Sequence, residues 1–190
     1  MFDPLQTTIT YSWACLPSLN DTAGETYLSQ FGKIPSHDCV RYDAASHEVV
    51  ALFQSLETGR GCALGRISLG NNGFRLSGKL TGDHRGAACY LSSKIAVYDH
   101  LSIAVGLENA IAVKEFIGLP TWCLASNEVL ANFPVLPRVT NLYIGISLAD
   151  KGASQKAAEA VSDRYRARGR VVHALAPDEF CHLSEMRRAA

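Results

Sequence analysis

A chain of 190 residues suits one domain of ordinary size or a domain with a small extension, and a hydrophobic content of 47% supports a real core and excludes global disorder. Lys and Arg together number 18 and Asp and Glu together number 18. The formal net charge is therefore zero, which excludes a strongly basic nucleic-acid footprint while leaving room for a local basic patch. The cysteines at positions 15, 39, 62, 89, 123 and 181 contain no C-x-x-C pair, which argues against a zinc ribbon or a redox motif.

Residues 1 to 20 read as irregular, with Pro4 and Pro17 among mixed polar residues, and without the basic and apolar regions of a secretory leader. No apolar run reaches membrane-spanning length, so a cytoplasmic protein with free thiols is expected. A short helix is predicted from about Thr22, capped by Asp21 or Thr22, with Tyr27 and Leu28 on its apolar side. Three antiparallel strands follow at Glu48–Phe53, Cys62–Leu69 and Gly73–Leu80, separated by turn signals at Thr58-Gly59, Gly61 and Asn71-Asn72-Gly73.

The second half alternates strand and helix. Leu101–Val105 reads as a strand, Leu107–Phe116 as a helix ending at Gly118-Leu119-Pro120, and Thr121–Ala125 as a strand. A short helix at Asn127–Asn132 and a strand at Asn141–Ser147 follow. Ser154–Arg168 places Ala157, Ala158, Val161 and Tyr165 on one helix face, and Arg170–Leu175 is a last strand. Short links between alternating elements imply a mainly parallel sheet. The predicted fold is α/β: residues 1–100 form a helix with a small β-rich subdomain, and residues 101–190 form a βαβ core.

Several segments resemble one family when taken together. Val105-Gly106-Leu107-Glu108-Asn109-Ala110 lies at a strand-to-helix turn, followed by Gly118-Leu119-Pro120-Thr121-Trp122 and then Gly152-Ala153-Ser154-Gln155-Lys156-Ala157-Ala158. Upstream come Trp13, Pro17, Leu19, Thr22 and Tyr27-Leu28, and then Gly86-Ala87-Ala88-Cys89-Tyr90-Leu91. In order and spacing, from about Trp13 to Phe180, this is similar to the Toprim-containing primases of plasmids and phages, with the Toprim core in the second half.

The resemblance implies magnesium-dependent phosphoryl transfer, which needs carboxylates at the carboxyl ends of parallel strands because Mg²⁺ takes oxygen ligands. At the three positions where the family carries its acids, this chain has Val105, Ser147 and Ala149. Shifting the register by one residue brings in Asp150 but places Leu148 at the other aspartate position. The family's last acidic motif matches only loosely at Glu179-Phe180-Cys181-His182. The expectation is a protein with no metal or other cofactor and no catalytic residue, with Glu108, Asp150 and Glu179 as the residual acids from which a rearranged site would be built.

Six basic residues are candidate contacts for nucleic acid or a partner: Arg75, Lys79, Arg85, Lys156, Arg164 and Arg168. Strand alternation puts Arg75 and Lys79 on one face, and Arg164 and Arg168 equally suit a helix C-terminus, where cations are favoured anyway. Glu108 equally suits the first turn of its helix. Trp13 and Trp122 read as core. The resemblance, joined to the missing acids, implies a pseudoenzyme. It would be an accessory protein of a phage or mobile element that binds nucleic acid or a nucleoprotein complex, with an anti-CRISPR type of inhibitor as a special case. The alternatives are a residual metal-dependent primase or nuclease, and a structural subunit or homodimer without a nucleic-acid role.

Overall fold

The run Val49–Phe53 within Glu48–Ser55 is continuously apolar and buried, as a strand covered on both faces requires, and this segment becomes the centre of the antiparallel half of the sheet. The computed structural model describes residues 4–34, 39–147 and 150–175. Within them the elements run α1 (Pro4–Ala14), α2 (Ala23–Ser29), β1 (Val40–Asp43), β2 (Glu48–Ser55), β3 (Gly61–Leu69), β4 (Arg75–Gly82) and β5 (Ala87–Tyr90). A single 3-10 turn at Lys94–Ala96 leads to β6 (His100–Val105), α3 (Leu107–Ile117), β7 (Thr121–Leu124), α4 (Asn127–Ala131), β8 (Asn141–Gly145), α5 (Ala153–Arg166) and β9 (Val171–Leu175).

The strands form one sheet in the order β4-β3-β2-β5-β7-β6-β8-β9, with β1 paired to β2 beside this path. The first five strands are antiparallel, and β7, β6, β8 and β9 are mutually parallel. The two halves meet where β5 runs antiparallel to β7, with Cys89 opposite Cys123. One continuous sheet therefore passes through residues on both sides of position 100.

Side-chain alternation decides which helix covers which strand. Val49, Ala51 and Phe53 of β2 lie in one core with Leu28 of α2 and Ile111 of α3, whereas Val50 and Leu52 lie in another with Ile9 and Trp13 of α1. Leu101 and Ile103 of β6 and Trp122 of β7 meet Leu130 of α4 and Val161 and Tyr165 of α5. Fully burying a Leu or Ile side chain contributes on the order of 1.5–3 kcal/mol, so these layers hold the sheet between its helices.

The parallel half follows its sequence reading closely, including the end of α3 at Gly118, which adopts a left-handed C-cap. Thr22 is the cap of α2, accepting from the Glu25 amide at 3.2 Å. The N-terminal segment is a correction: Pro4–Ala14 is a helix, not irregular chain. Its periodic signal is weak because it rests on Ile9 and Trp13, and tertiary packing against Val50 and Leu64 completes it. Two further four-residue strands, β1 and β5, extend the expected three-stranded meander, and such short runs carry little periodicity of their own. Trp13 and Trp122 are core residues, 8% and 4% exposed.

Candidate functional site

In sheets with parallel strands, sites form outside the strands' carboxyl ends. At the end of β6, Val105 is half-buried and packs against the α4/α5 core. Gly106 follows with φ 86, a conformation that favours glycine, and turns the chain directly into α3. Glu108 sits in the first turn of that helix.

Beyond β8 the Ser147 amide donates to Ser154 Oγ at 2.9 Å, and that hydroxyl donates back to the Ser147 carbonyl at 3.1 Å. The Asp150 carboxylate accepts from Asn127 Nδ2 at 3.0 Å and from the Ser154 amide at 2.9 Å, so it caps the start of α5. Burial by itself raises the Asp150 carboxyl, but the donors from Asn127, Ser154 and Gly152 outweigh it and hold the group below its ordinary range.

Glu108 has a different set of partners. Its Oε1 accepts from Tyr27 Oη of α2 at 2.9 Å and from Arg75 Nη1 of β4 at 2.5 Å. Burial and the neighbouring Glu108 charge both push the Tyr27 hydroxyl well above its ordinary value, so it stays a proton donor. The Glu108 side chain is 15% exposed and that of Arg75 47%.

Arg75 reaches Glu108 because β4 carries an irregularity. Ser68 lies opposite Ser77, but Leu69 lies opposite Arg75, so one extra residue enters β4. Arg75 is thereby turned to the α2/α3 face with Leu69, while Lys79 stays opposite Arg66 on the other face. By register the bulge puts Arg75 and Lys79 on opposite faces, so simple alternation does not relate them, although both residues line one cavity. Arg75 then lies back over Gly78, where an added Cβ would come within 2.5 Å of the guanidinium.

Together these elements line a partly open cavity of about 230 Å³ between the β2–β4 sheet and the start of α3. Ala51, Phe53, Gly65 and Ile67 are among its apolar lining, Cys123 lies beside them, and Arg75 and Glu108 meet there.

Of the other basic candidates, Lys79 also lines this cavity, and the remaining four are not gathered there. Arg164 donates to the carbonyls of Ala131 and Phe133, fastening the chain after α4. Arg85 is exposed and paired with Asp83. Lys156 and Arg168 are exposed on and just beyond α5. Ala149 and Glu179 lie outside the described residues.

Among the described residues, the donors do not form a magnesium site. Val105 offers no oxygen, and the Glu108 and Asp150 carboxylates are each engaged by separate protein donors. Among the described residues, no three His, Cys, Asp or Glu side chains form a group able to hold a metal ion. Sequence reading found Glu108 and Arg75 but missed Tyr27, Gly78 and Cys123, whose roles arise from contacts between distant segments.

A family model described as "Toprim domain" matches residues 100–184. No curated protein matches the sequence. Among solved structures, the primase fragment of the bacteriophage T7 primase-helicase is similar over 80% of this chain and 66% of that fragment, with a TM-score of 0.51 and 15% identity. A DnaG primase catalytic domain, solved bound to single-stranded DNA, is similar over 90% of this chain and 71% of its own, with a TM-score of 0.50 and 12% identity. A DNA primase domain from Pseudomonas aeruginosa covers 92% of this chain at 17% identity and a TM-score of 0.47, and this chain spans 52% of that domain. This chain thus spans just under two thirds of the T7 fragment and about half of the Pseudomonas domain. The fold is Toprim-like and similar to that of primase fragments, with a mixed sheet flanked by helices.

Proposed function

We propose that this protein binds nucleic acid through the Arg75–Glu108 cleft and does not catalyse phosphoryl transfer. The observation that carries the reading is the composition of the strand ends. Val105 closes β6, Ser147 follows β8 in a reciprocal contact with Ser154, and the carboxylates of Glu108 and Asp150 are held by different helices and strands. A two-metal or one-metal phosphoryl-transfer site needs convergent carboxylates, and these diverge to separate partners. The cavity with a half-exposed arginine supplies a cation where the fold places its ligands. Nucleic acid is the ligand class suggested by the likeness in fold to a primase domain solved with single-stranded DNA.

Within this reading the protein acts as an accessory component of a phage or mobile element, engaging nucleic acid or a nucleoprotein complex as a non-catalytic competitor, with host-defence complexes as one target class. Its likeness in fold to a phage primase fragment supports that role. Calorimetric titration with Mg²⁺ and Mn²⁺, beside a binding assay on labelled single- and double-stranded DNA, tests it. The expected result is DNA binding without stoichiometric metal uptake. Stoichiometric metal binding with nucleotide incorporation or cleavage would return the protein to the metal-dependent enzymes.

A further inference from the structure

Arg66, Arg75 and Lys79 are all among the residues that line the cavity; Arg66 is paired with Asp43 and Glu48, and the chain's own Glu108 carboxylate occupies Arg75. Three features single this contact out. The bulge in β4 turns Arg75 to this face, and Gly78 leaves the space in which it lies. Tyr27, from a third element, fixes the other side of the same Glu108 oxygen. The result is a bridge from β4 to α3 beside a cavity whose wall includes the almost fully buried Cys123. A guanidinium takes carboxylate and phosphate oxygens through the same forked donors, so one can replace the other.

We propose that Glu108 is an internal substitute for phosphate. In the free protein it holds Arg75 beside the cavity and restricts access to the buried Cys123 in its wall, and a phosphate of a bound nucleic acid strand displaces it. The proposal rests on the nucleic-acid reading above. Arg75 is half in solvent and within reach of an incoming strand, whereas Glu108 is largely shielded and keeps its Tyr27 hydrogen bond when Arg75 leaves. A cavity of about 230 Å³ is smaller than the roughly 300–1,000 Å³ of drug-sized ligand sites, so it admits a phosphate with part of one nucleotide rather than a duplex.

The test compares wild type, Glu108→Gln, Arg75→Ala and the double variant in two assays. One is the affinity for a labelled single-stranded oligothymidylate in EDTA. The other is the rate at which a small alkylating reagent labels Cys123, read by peptide mapping against the exposed Cys15. Glu108→Gln is expected to tighten DNA binding and to speed Cys123 labelling, each by about twofold to fivefold, the range open to a partly exposed ion pair. Arg75→Ala is expected to weaken binding while also speeding labelling. In the Arg75→Ala background, Glu108→Gln is expected to have no further effect on affinity.

Equal tightening by Glu108→Gln with and without Arg75 would show a general charge effect and overturn the substitution. Unchanged Cys123 labelling in both single variants would overturn the restricted access, whatever the DNA result. Failure of all four proteins to bind DNA would remove phosphate as the displacing ligand and sink the nucleic-acid reading itself, while the labelling rates still report on access to Cys123.

Discussion

Replacing Gly78 with alanine separates the Arg75–Glu108 bridge from every change of charge. The new methyl would fall 2.5 Å from Arg75 Nη2 and 3.5 Å from its Cζ, with the backbone oxygen of Arg66 more distant at 3.9 Å. The obstruction is therefore the end of a flexible side chain, which swings away. Gly78 is absent from the residues with positive φ, so alanine fits its backbone. Losing an ion pair whose arginine is 47% exposed costs about 0.2–1 kcal/mol, and Gly→Ala at a compatible position returns about 0.4–1 kcal/mol through the unfolded chain. Net stability is expected to stay within about 1 kcal/mol of wild type in urea denaturation. Cys123, 1% exposed beside the cavity, should nonetheless label faster by about 1.5-fold to 5-fold, which corresponds to the same 0.2–1 kcal/mol. A destabilisation above about 2 kcal/mol would show that the Gly78 seat is part of the fold's packing, and an unchanged labelling rate would refute the bridge as a restriction on access to Cys123.

Two further predictions concern stability. Tyr165 is fully buried; its hydroxyl donates to the Pro134 carbonyl at 3.0 Å and accepts from the Leu136 amide at 3.2 Å. Tyr165→Phe strands both groups and should cost about 1–3 kcal/mol with an unchanged denaturant slope, whereas a loss under about 0.5 kcal/mol would mean that the loop finds other partners. Burial raises the carboxyls of Asp43 and Glu48, but hydrogen bonds from Arg66 and nearby serines outweigh it and lower both. Depressed carboxyls add stability above their unfolded values of about 4, and that contribution is lost as pH falls through the folded values. The stability gap between wild type and Arg66→Met should therefore shrink from pH 5 to pH 3, and a constant gap would contradict the role of Arg66.

What sequence could convey followed from how local each signal is. The limits of α3 were legible because Gly106 and Gly118-Leu119-Pro120 act within a single turn, and α5 because Ala157, Ala158, Val161 and Tyr165 repeat on one face. α1 was not, because its only deeply buried described side chains, Ile9 and Trp13, meet a partner surface made by β2 and β3. The expectation that Val105 and Ser147 stand at carboxylate positions came from the resemblance, and the same stretch drew attention to Glu108. Its attachment to Arg75 was hidden by one inserted residue in β4, which turns a side chain from one face of the sheet to the other without leaving a mark in composition. Arg164 looked like a ligand contact from its charge, yet its guanidinium is committed to two backbone carbonyls 31 and 33 residues away.

The most direct measurement is the affinity for a labelled single strand across a salt series, taken once in EDTA and once in Mg²⁺. Non-catalytic binding at a cleft with one or two cations predicts saturable binding that weakens modestly with salt, with a log–log slope of about −0.7 per phosphate contacted, and the same affinity in both buffers. Binding that appears only with Mg²⁺, or no binding in either buffer, would contradict it.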